Sequence, residues 1–458
     1  MNMRKMVLLS CGALLTACTA VGPDYATPAA AVPQSFVGSG QGSAGKVANV
    51  AWWKGFRDPM LDGLLAEGLA QNLDTMAAME RIRAAEAGVR GTGLAAAATG
   101  GVDANGQRFG GEGSVSGTGS SATTDLSAAF VLDLFGGLRR DRERAKASLA
   151  SAQDDLQTVR LAWLAEAIDA YTDARYQQEA IALTRKSIAS RQETSRLIGE
   201  RQDAGSATEL DAVQAGGLLA AAQADLPTLV SGFESAVFRL ATLLNRPAGP
   251  LLAQMQPGRA QPYPTASVAS GVPAELLRNR PDIRSAERDL AAAVASVGVA
   301  QAELYPSISL SGNVSTTAGA ESWSFGPSLS LPVLNRGALS ATRDTRAAEA
   351  REAEITWRAQ VSSAVEDVQT ALSDLTQQRR RLSALQQSAE AYRRAFVLSQ
   401  ESYAAGSLSA IDLLDSERTA TDAELAVAAA RRDIALAWAT LQIATGAGAE
   451  VGAIPRTR

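Results

Sequence analysis

The chain has 458 residues, a formal net charge of −5, no histidine and two cysteines. Without histidine it lacks the commonest general base and the commonest protein metal ligand, which excludes Ser-His-Asp and Cys-His chemistry within one chain. The balance is acidic and no Lys/Arg-rich stretch stands out, so nothing suggests a nucleic-acid partner.

The first element is a leader over residues 1–17. Arg4 and Lys5 form a basic start, Met6 to Leu15 a short apolar run, and Leu15-Thr16-Ala17-Cys18 ends it. Ten apolar residues cannot cross a bilayer core of ~30 Å, so the segment reads as a signal peptide rather than an anchor. Leu-Thr-Ala-Cys resembles the bacterial lipobox, which implies lipid attachment at Cys18. The alternative is an ordinary signal peptide with a chance cysteine. Thr19, being other than Asp, implies sorting to the outer membrane within that resemblance. Cys11 leaves with the leader, so no internal disulfide is expected. No later stretch offers the ~18 consecutive apolar residues of a membrane helix. If the protein spans a membrane, it does so as strands.

Residues 18–56, rich in Ala, Gly, Pro and Ser, read as an extended arm. Asp58-Pro59 has the signature of a helix start, and Leu61, Leu64, Leu65 and Leu69 follow at helical spacing. A weak strand is expected at about Thr99–Phe109, then a Gly/Ser/Thr loop over Gly110–Thr124. Leu126, Ala128, Phe130, Leu132 and Leu134 share one parity of a second strand. In Ser307–Ser315, Ile308, Leu310 and Val314 alternate with polar residues. In Ser322–Val333, Trp323, Phe325, Leu329, Leu331 and Val333 do the same. Alternation over ~10 residues suits a transmembrane barrel strand with one face to lipid and one to a wet lumen. A soluble sheet with one wet face is the alternative.

A long proline-free stretch follows each strand pair. From Leu138 to Arg201 a helix reaches ~96 Å at ~1.5 Å per residue. Val361, Val368, Leu375, Leu382, Ala389, Phe396 and Tyr403 recur every seven residues, with Val365 and Leu372 assigned to the second seam position of a coiled-coil pattern. Ala204-Gly205-Ser206 and Ala405-Gly406-Ser407 turn the chain back into helices at about 208–245 and 409–445. Pro227 is expected to kink or break the first of these.

The two halves are copies. Glu200 to Asp211 returns as Glu401 to Asp412, and the same offset pairs Gly136 with Gly337 and Ala170 with Ala371. The expected organisation is a first repeat over 57–250, a proline-rich linker over 251–271, a second repeat over 272–446 and a tail over 447–458. Four strands cannot close a membrane barrel, for which the smallest need ~8. Open edges in lipid cost several kcal/mol per unpaired backbone group, so several chains must share one barrel. Three chains supply twelve strands, enough for an aqueous lumen, and the long helices extend that tube.

Several stretches resemble the outer membrane factor lipoproteins, the TolC-like exit ducts of tripartite pumps in the NodT-type branch. They are Cys18-Thr19-Ala20-Val21-Gly22-Pro23-Asp24-Tyr25, Trp52-Trp53 through Asp58-Pro59, and Leu132-Asp133-Leu134-Phe135-Gly136-Gly137-Leu138-Arg139. Leu276-Leu277-Arg278-Asn279-Arg280-Pro281-Asp282-Ile283-Arg284 and Tyr305-Pro306-Ser307-Ile308-Ser309-Leu310 complete the set. The resemblance implies a mixed membrane fold: a homotrimeric 12-stranded β-barrel, four strands per chain, continuous with a periplasmic α-helical barrel. It implies a channel rather than an enzyme, without cofactor or metal, sitting in outer membrane lipid. It further implies docking on a periplasmic adaptor and an inner-membrane pump, usually of the resistance-nodulation-division class. By position, Asp412 and Asp415 match the family's paired gate carboxylates, Asp211 a gate-region carboxylate and Tyr403 a tyrosine that holds the closed state. The family pattern can place a basic residue shortly after the turn; here the matching residue is Leu408. Three copies of Asp412 about an axis would form an acidic ring with raised pKa values. The plainer reading is that Asp412 caps the return helix and Asp415 sits in its first turn. A duct for type I protein secretion and a poreless periplasmic coiled-coil scaffold are the competing functions.

Overall fold

The computed structural model describes residues 20–29, 32–37, 51–111, 117–265, 279–317 and 319–449. The leader, Cys18, the sequence Leu276-Leu277-Arg278 and residues 450–458 of the tail lie outside the described residues. The chain divides into two compact units. One is built from residues 1–31, 78–155 and 282–361, the other from 32–77, 156–281 and 362–458. Each unit therefore draws on both sequence copies. No helix among the described residues is long and apolar enough to cross a membrane.

The first unit holds a four-stranded antiparallel sheet in the order β1-β2-β3-β4, with β1 Ala98–Gly111, β2 Gly117–Leu132, β3 Ser307–Thr317 and β4 Ala320–Ser330. The register aligns the alternation across all four strands. Val102 pairs Leu126, Leu126 pairs Val314 and Val314 pairs Trp323. One step along, Gly100, Ala128, Gly312 and Phe325 share a row, and beyond it Ala98, Phe130, Leu310 and Pro327. Residues paired across an antiparallel ladder project from the same face, so most of the large apolar side chains, though not Phe109 and Val131 of the other face, collect on one surface. That surface is bare: Trp323 is 79% exposed, Phe325 71% and Leu329 68%. The opposite parity carries Gly101, Ser127, Asn313 and Ser324 in one row and Asp103, Asp125, Ser315 and Ser322 in the next. The sheet is open at β1 and at β4.

Several strand bounds differ from expectation: β2 ends at Leu132, short of Leu134, and β3 and the start of β4 extend to Thr317 and Ala320. Of Gly110–Thr124, read as loop, Gly110 and Gly111 end β1 and Gly117–Thr124 begin β2, the two strands pairing as far as Gly117 with Gly111. Gly, Ser and Thr occupy both parities there, so hydropathy shows no alternation although the backbone pairs normally. At the other end β4 stops at Ser330, short of the Val333 expected; Pro332 has no N–H for a ladder bond.

The strand-to-helix junction explains two of the sequence motifs. Helices are numbered α1 Pro59–Gln71, α2 Leu73–Arg90, α3 Leu94–Ala97, α4 Gly137–Asp203, α5 Glu209–Leu243, α6 Ala248–Met255, α7 Pro281–Ala302, α8 Arg336–Ala404 and α9 Ala410–Ala444. Asp133 accepts from the N–H groups of Leu138 (3.1 Å) and Arg139 (3.0 Å), satisfying free donors at the start of α4. Phe135 stacks on Tyr305 with centroids 4.7 Å apart. Gly136 has φ +80°, and a Cβ there would lie 2.4 Å from the Cβ of Ala20. That close approach admits the N-terminal segment. Val21 N–H donates to Phe135 O at 3.0 Å, and buried Arg140 donates to Val21 O (3.1 Å), Gly22 O (3.3 Å) and Asp24 Oδ1 (2.7 Å).

The second unit centres on aromatic packing. Trp438 is 1% exposed and meets Trp52 and Phe56 edge-on at 5.3 and 4.7 Å. Asp58 caps α1, accepting from Met60 N–H at 2.9 Å, and takes the Tyr171 hydroxyl at 2.5 Å. Fully buried Arg175 donates to that phenol oxygen at 3.1 Å and to Gln178 Oε1 at 2.6 Å.

Three further expectations change. Helix α5 is not broken at Pro227 but continues through it; proline removes one N–H, a cost of ~3 kcal/mol that a long helix absorbs. The proline-rich connector carries α6, with Pro247 as its N-cap and Leu251 and Met255 fully buried. Proline is tolerated at a helix start, so its abundance concealed a helix. On α8 the buried seam is Trp357, Val361, Ala364, Val368, Ala371, Leu375 and Leu382, while Ala389 and Phe396 of the expected series are half-buried. Val365 and Leu372, assigned there by size, are only half-buried. Alanine lets a partner helix approach closely, which a ranking by volume overlooks.

Candidate functional site

The two helical turns of the second unit share their main backbone bonds. At the end of α4, Gly205 has φ +73°, its N–H donates to Gln202 O, and Ser206 N–H reaches back to Arg201 O at 2.8 Å. At the end of α8, Gly406 has φ +77°, its N–H donates to Tyr403 O, and Ser407 N–H reaches Ser402 O at 3.0 Å. Both are left-handed glycine stops that satisfy terminal carbonyls. The return helices also start alike. Thr208 caps α5 and pairs with Asp211 in a closed capping box; Ser409 caps α9 and receives Asp412 N–H at 3.3 Å.

One small core joins the turns. Ile198 and Ala215 from the first copy bury against Tyr403, Ala410, Leu413 and Leu414 from the second, and Ala207, Ala212, Leu218, Phe396 and Leu408 pack around them. Leu408, where a basic residue was the alternative, is thus an apolar member of this core. Tyr403 is 5% exposed, and its hydroxyl has no hydrogen-bond partner. Its ring instead receives the guanidinium of Arg201, 4.3 Å from the ring centroid.

The carboxylates expected by position are each engaged locally. Asp211 accepts from Thr208 N–H (2.9 Å) and its hydroxyl (2.8 Å), and these bonds hold its pKa below the usual carboxylate value. Asp412 is not itself the cap of α9. It lies in the first turn, and its Oδ2 accepts the Ser409 hydroxyl at 2.5 Å. Asp415 accepts from Arg418 at 2.6 Å, and Arg418 also approaches Asp422 at 3.7 Å. Asp211 and Asp412 sit at equivalent places in the two turns; Tyr403 lies in the core that joins them. Cys18 lies outside the described residues.

Two residues escaped the sequence reading. Arg201 gave no signal beyond its place in the last turn of a helix. Glu417 of α9 is 2% exposed. Burial pushes its pKa up, against the opposing pull of the Ser190 and Thr194 hydroxyls and the charge of Arg191. Nearby, Ser187 and Thr421 hydroxyls meet at 3.2 Å and Lys186 pairs Glu424 at 3.3 Å, so α4 and α9 share a polar seam. Among the described residues no cluster of three or more metal-ligating side chains is present.

The sequence profile described as Outer membrane efflux protein matches residues 64–246 and again 272–447. The chain is 38% identical over 454 residues to Nodulation protein T of Rhizobium leguminosarum bv. trifolii, covering 95% of each. It is 32% identical over 437 residues to the pyoverdine export outer membrane protein OpmQ of Pseudomonas aeruginosa, covering 92% of this chain and 91% of that one. Among solved structures, the outer-membrane channel OprN superposes with a TM-score of 0.83 at 34% identity, over 94% of this chain and 99% of its own.

Proposed function

We propose that this chain, which belongs to the outer membrane efflux protein family, is the exit channel of a tripartite pump, passively conducting small molecules handed to it by a periplasmic adaptor and an inner-membrane pump. The family is one of channels, not enzymes. The observation that carries the reading is the sheet. A bare apolar face runs across four strands, a polar face backs it, and both edges are open. Such a sheet is stable in lipid only when closed, because unpaired strand edges in hydrocarbon cost several kcal/mol per group. In this reading three copies close twelve strands around a wet lumen, and the long helices continue the conduit into the periplasm.

The leader is removed in the same reading, and Cys18 carries the lipid that tethers the arm. Ala20 to Asp24, held by Arg140, brings that tether to the strand-to-helix junction. The helix turns form an iris-like gate, with Asp412 and Asp415 lining the constriction, Asp211 supporting the first turn and Tyr403 locking the second. The pump partner is of the resistance-nodulation-division class, and the cargo is a small molecule, as the name of the pyoverdine export relative OpmQ indicates for that protein.

Planar-bilayer recording of the purified full chain tests this. The parent is expected to give small, infrequent openings, and the Asp412→Ala/Asp415→Ala double variant a larger steady conductance. Absence of conductance from both would defeat the duct reading and leave a scaffold.

A further inference from the structure

Resting on the gate reading, we propose that Arg201 is the positioning residue that ties the first helical turn to the second and keeps the gate shut. The tie has two parts. The guanidinium lies over the Tyr403 ring at 4.3 Å, and its Nη2 donates to the carbonyl of Ala404 at 2.8 Å. Ala404 is the last residue of α8, so that carbonyl is one of the acceptors a helix terminus leaves free. A cation there also meets the negative end of the helix dipole. Stacking, hydrogen bond and dipole all act on the same two residues of the second turn.

The backbone of Arg201 is itself anchored. Its carbonyl accepts from Ser206 N–H (2.8 Å), Ser206 Oγ–H (3.0 Å) and Ala207 N–H (3.2 Å). The residue that reaches across is therefore anchored in the glycine stop of its own turn. A shift of one turn past the other must break this tie, whereas the small apolar core beside it can slide.

The duplication shows that the arrangement is one-way. The counterpart of Arg201 in the second copy is Ser402, and the counterpart of Tyr403 in the first is Gln202. One turn supplies the cation and the other the ring and the carbonyl. Leu408, half-buried against the apolar core, brings no charge to the stretch after the second turn. The cation serving the two turns comes from the first instead. The phenol hydroxyl has no partner, so the ring rather than the oxygen is the part of Tyr403 that Arg201 uses.

Single-channel recording of full-length variants tests the assignment, with circular dichroism confirming an unchanged helix content. Arg201→Gln is expected to raise open probability about tenfold, corresponding to about 1.4 kcal/mol lost from the closed state. Tyr403→Leu should do the same, and adding it to Arg201→Gln should give little more, since both cut one tie. Tyr403→Phe, which restores the ring without the oxygen, should recover closure relative to Tyr403→Leu. Arg201→Lys should recover part of it, because a point charge cannot stack and reach the carbonyl as a planar fork does. If Arg201→Gln gates like the parent while Asp412→Ala/Asp415→Ala opens, this inference fails and the gate reading survives. If Tyr403→Phe opens as Tyr403→Leu does, the hydroxyl matters and the assignment is overturned. If the aspartate variant and Arg201→Gln both stay closed, the gate reading falls and this inference with it.

Discussion

Leu310→Arg is expected to prevent stable insertion of the sheet, whereas Ser311→Arg, one residue on, is expected to be tolerated. Leu310 shares its row with Phe130 and Pro327, near the middle of the apolar band that runs from Ile308 to Val314 on β3. A charged side chain facing lipid near the midplane costs ~2–4 kcal/mol per copy, and a trimer carries that three times. Ser311 shares its row with Ala129 and Gly326 on the other face. Small neighbours leave room for the longer side chain, and its charge would sit in water. Urea titration of each variant refolded into lipid vesicles, followed by heat-modified gel mobility, reads the difference. The reverse order of stability would mean that the sheet faces the other way.

Trp438→Ala is expected to be the most damaging change in the second unit, by ~3–5 kcal/mol. The indole is 1% exposed and takes both Trp52 and Phe56 edge-on. Each such pair adds ~0.5–1.5 kcal/mol beyond the area buried. Its removal would leave a cavity under the Trp52–Phe56 turn, whose remaining ties include Trp52 Nε1–H to Ala447 O at 3.1 Å. The turn should then detach, so trypsin cleavage at the exposed Lys54 and Arg57 should rise sharply. Trp438→Phe should rescue most of the protection. Equal cleavage of parent and Trp438→Ala would show that the aromatic cluster does not hold this segment.

What could be read from sequence follows from where the information is local. The strands of the second copy were plain because serine alternates with large apolar residues, and the left-handed glycine positions at 205 and 406 were plain because few residues besides glycine take that conformation easily. The start of β2 was hidden because small polar residues sit on both of its faces. Ala364 and Ala371 were missed because close helix packing favours small residues that a hydropathy count ranks low. Helix α6 was hidden behind prolines that sit at and near its start. The positions of Asp211, Tyr403, Asp412 and Asp415 came from resemblance, but their local partners did not: caps, an arginine three residues on, and an apolar core. The contact of Arg201 with Tyr403 joins residues two hundred apart, as does that of Glu417 with α4, and no local pattern announces either. Gly136 and Arg140 belong to this class too, since what they accommodate is a distant N-terminal segment.

The central claim is that one chain holds a third of a closed barrel. Native mass spectrometry of the full-length protein, released from detergent without crosslinker, tests it most directly. The account predicts a trimer as the dominant species, converting to monomer only when the sheet is unfolded. A dominant folded monomer retaining its β-sheet signal would contradict it.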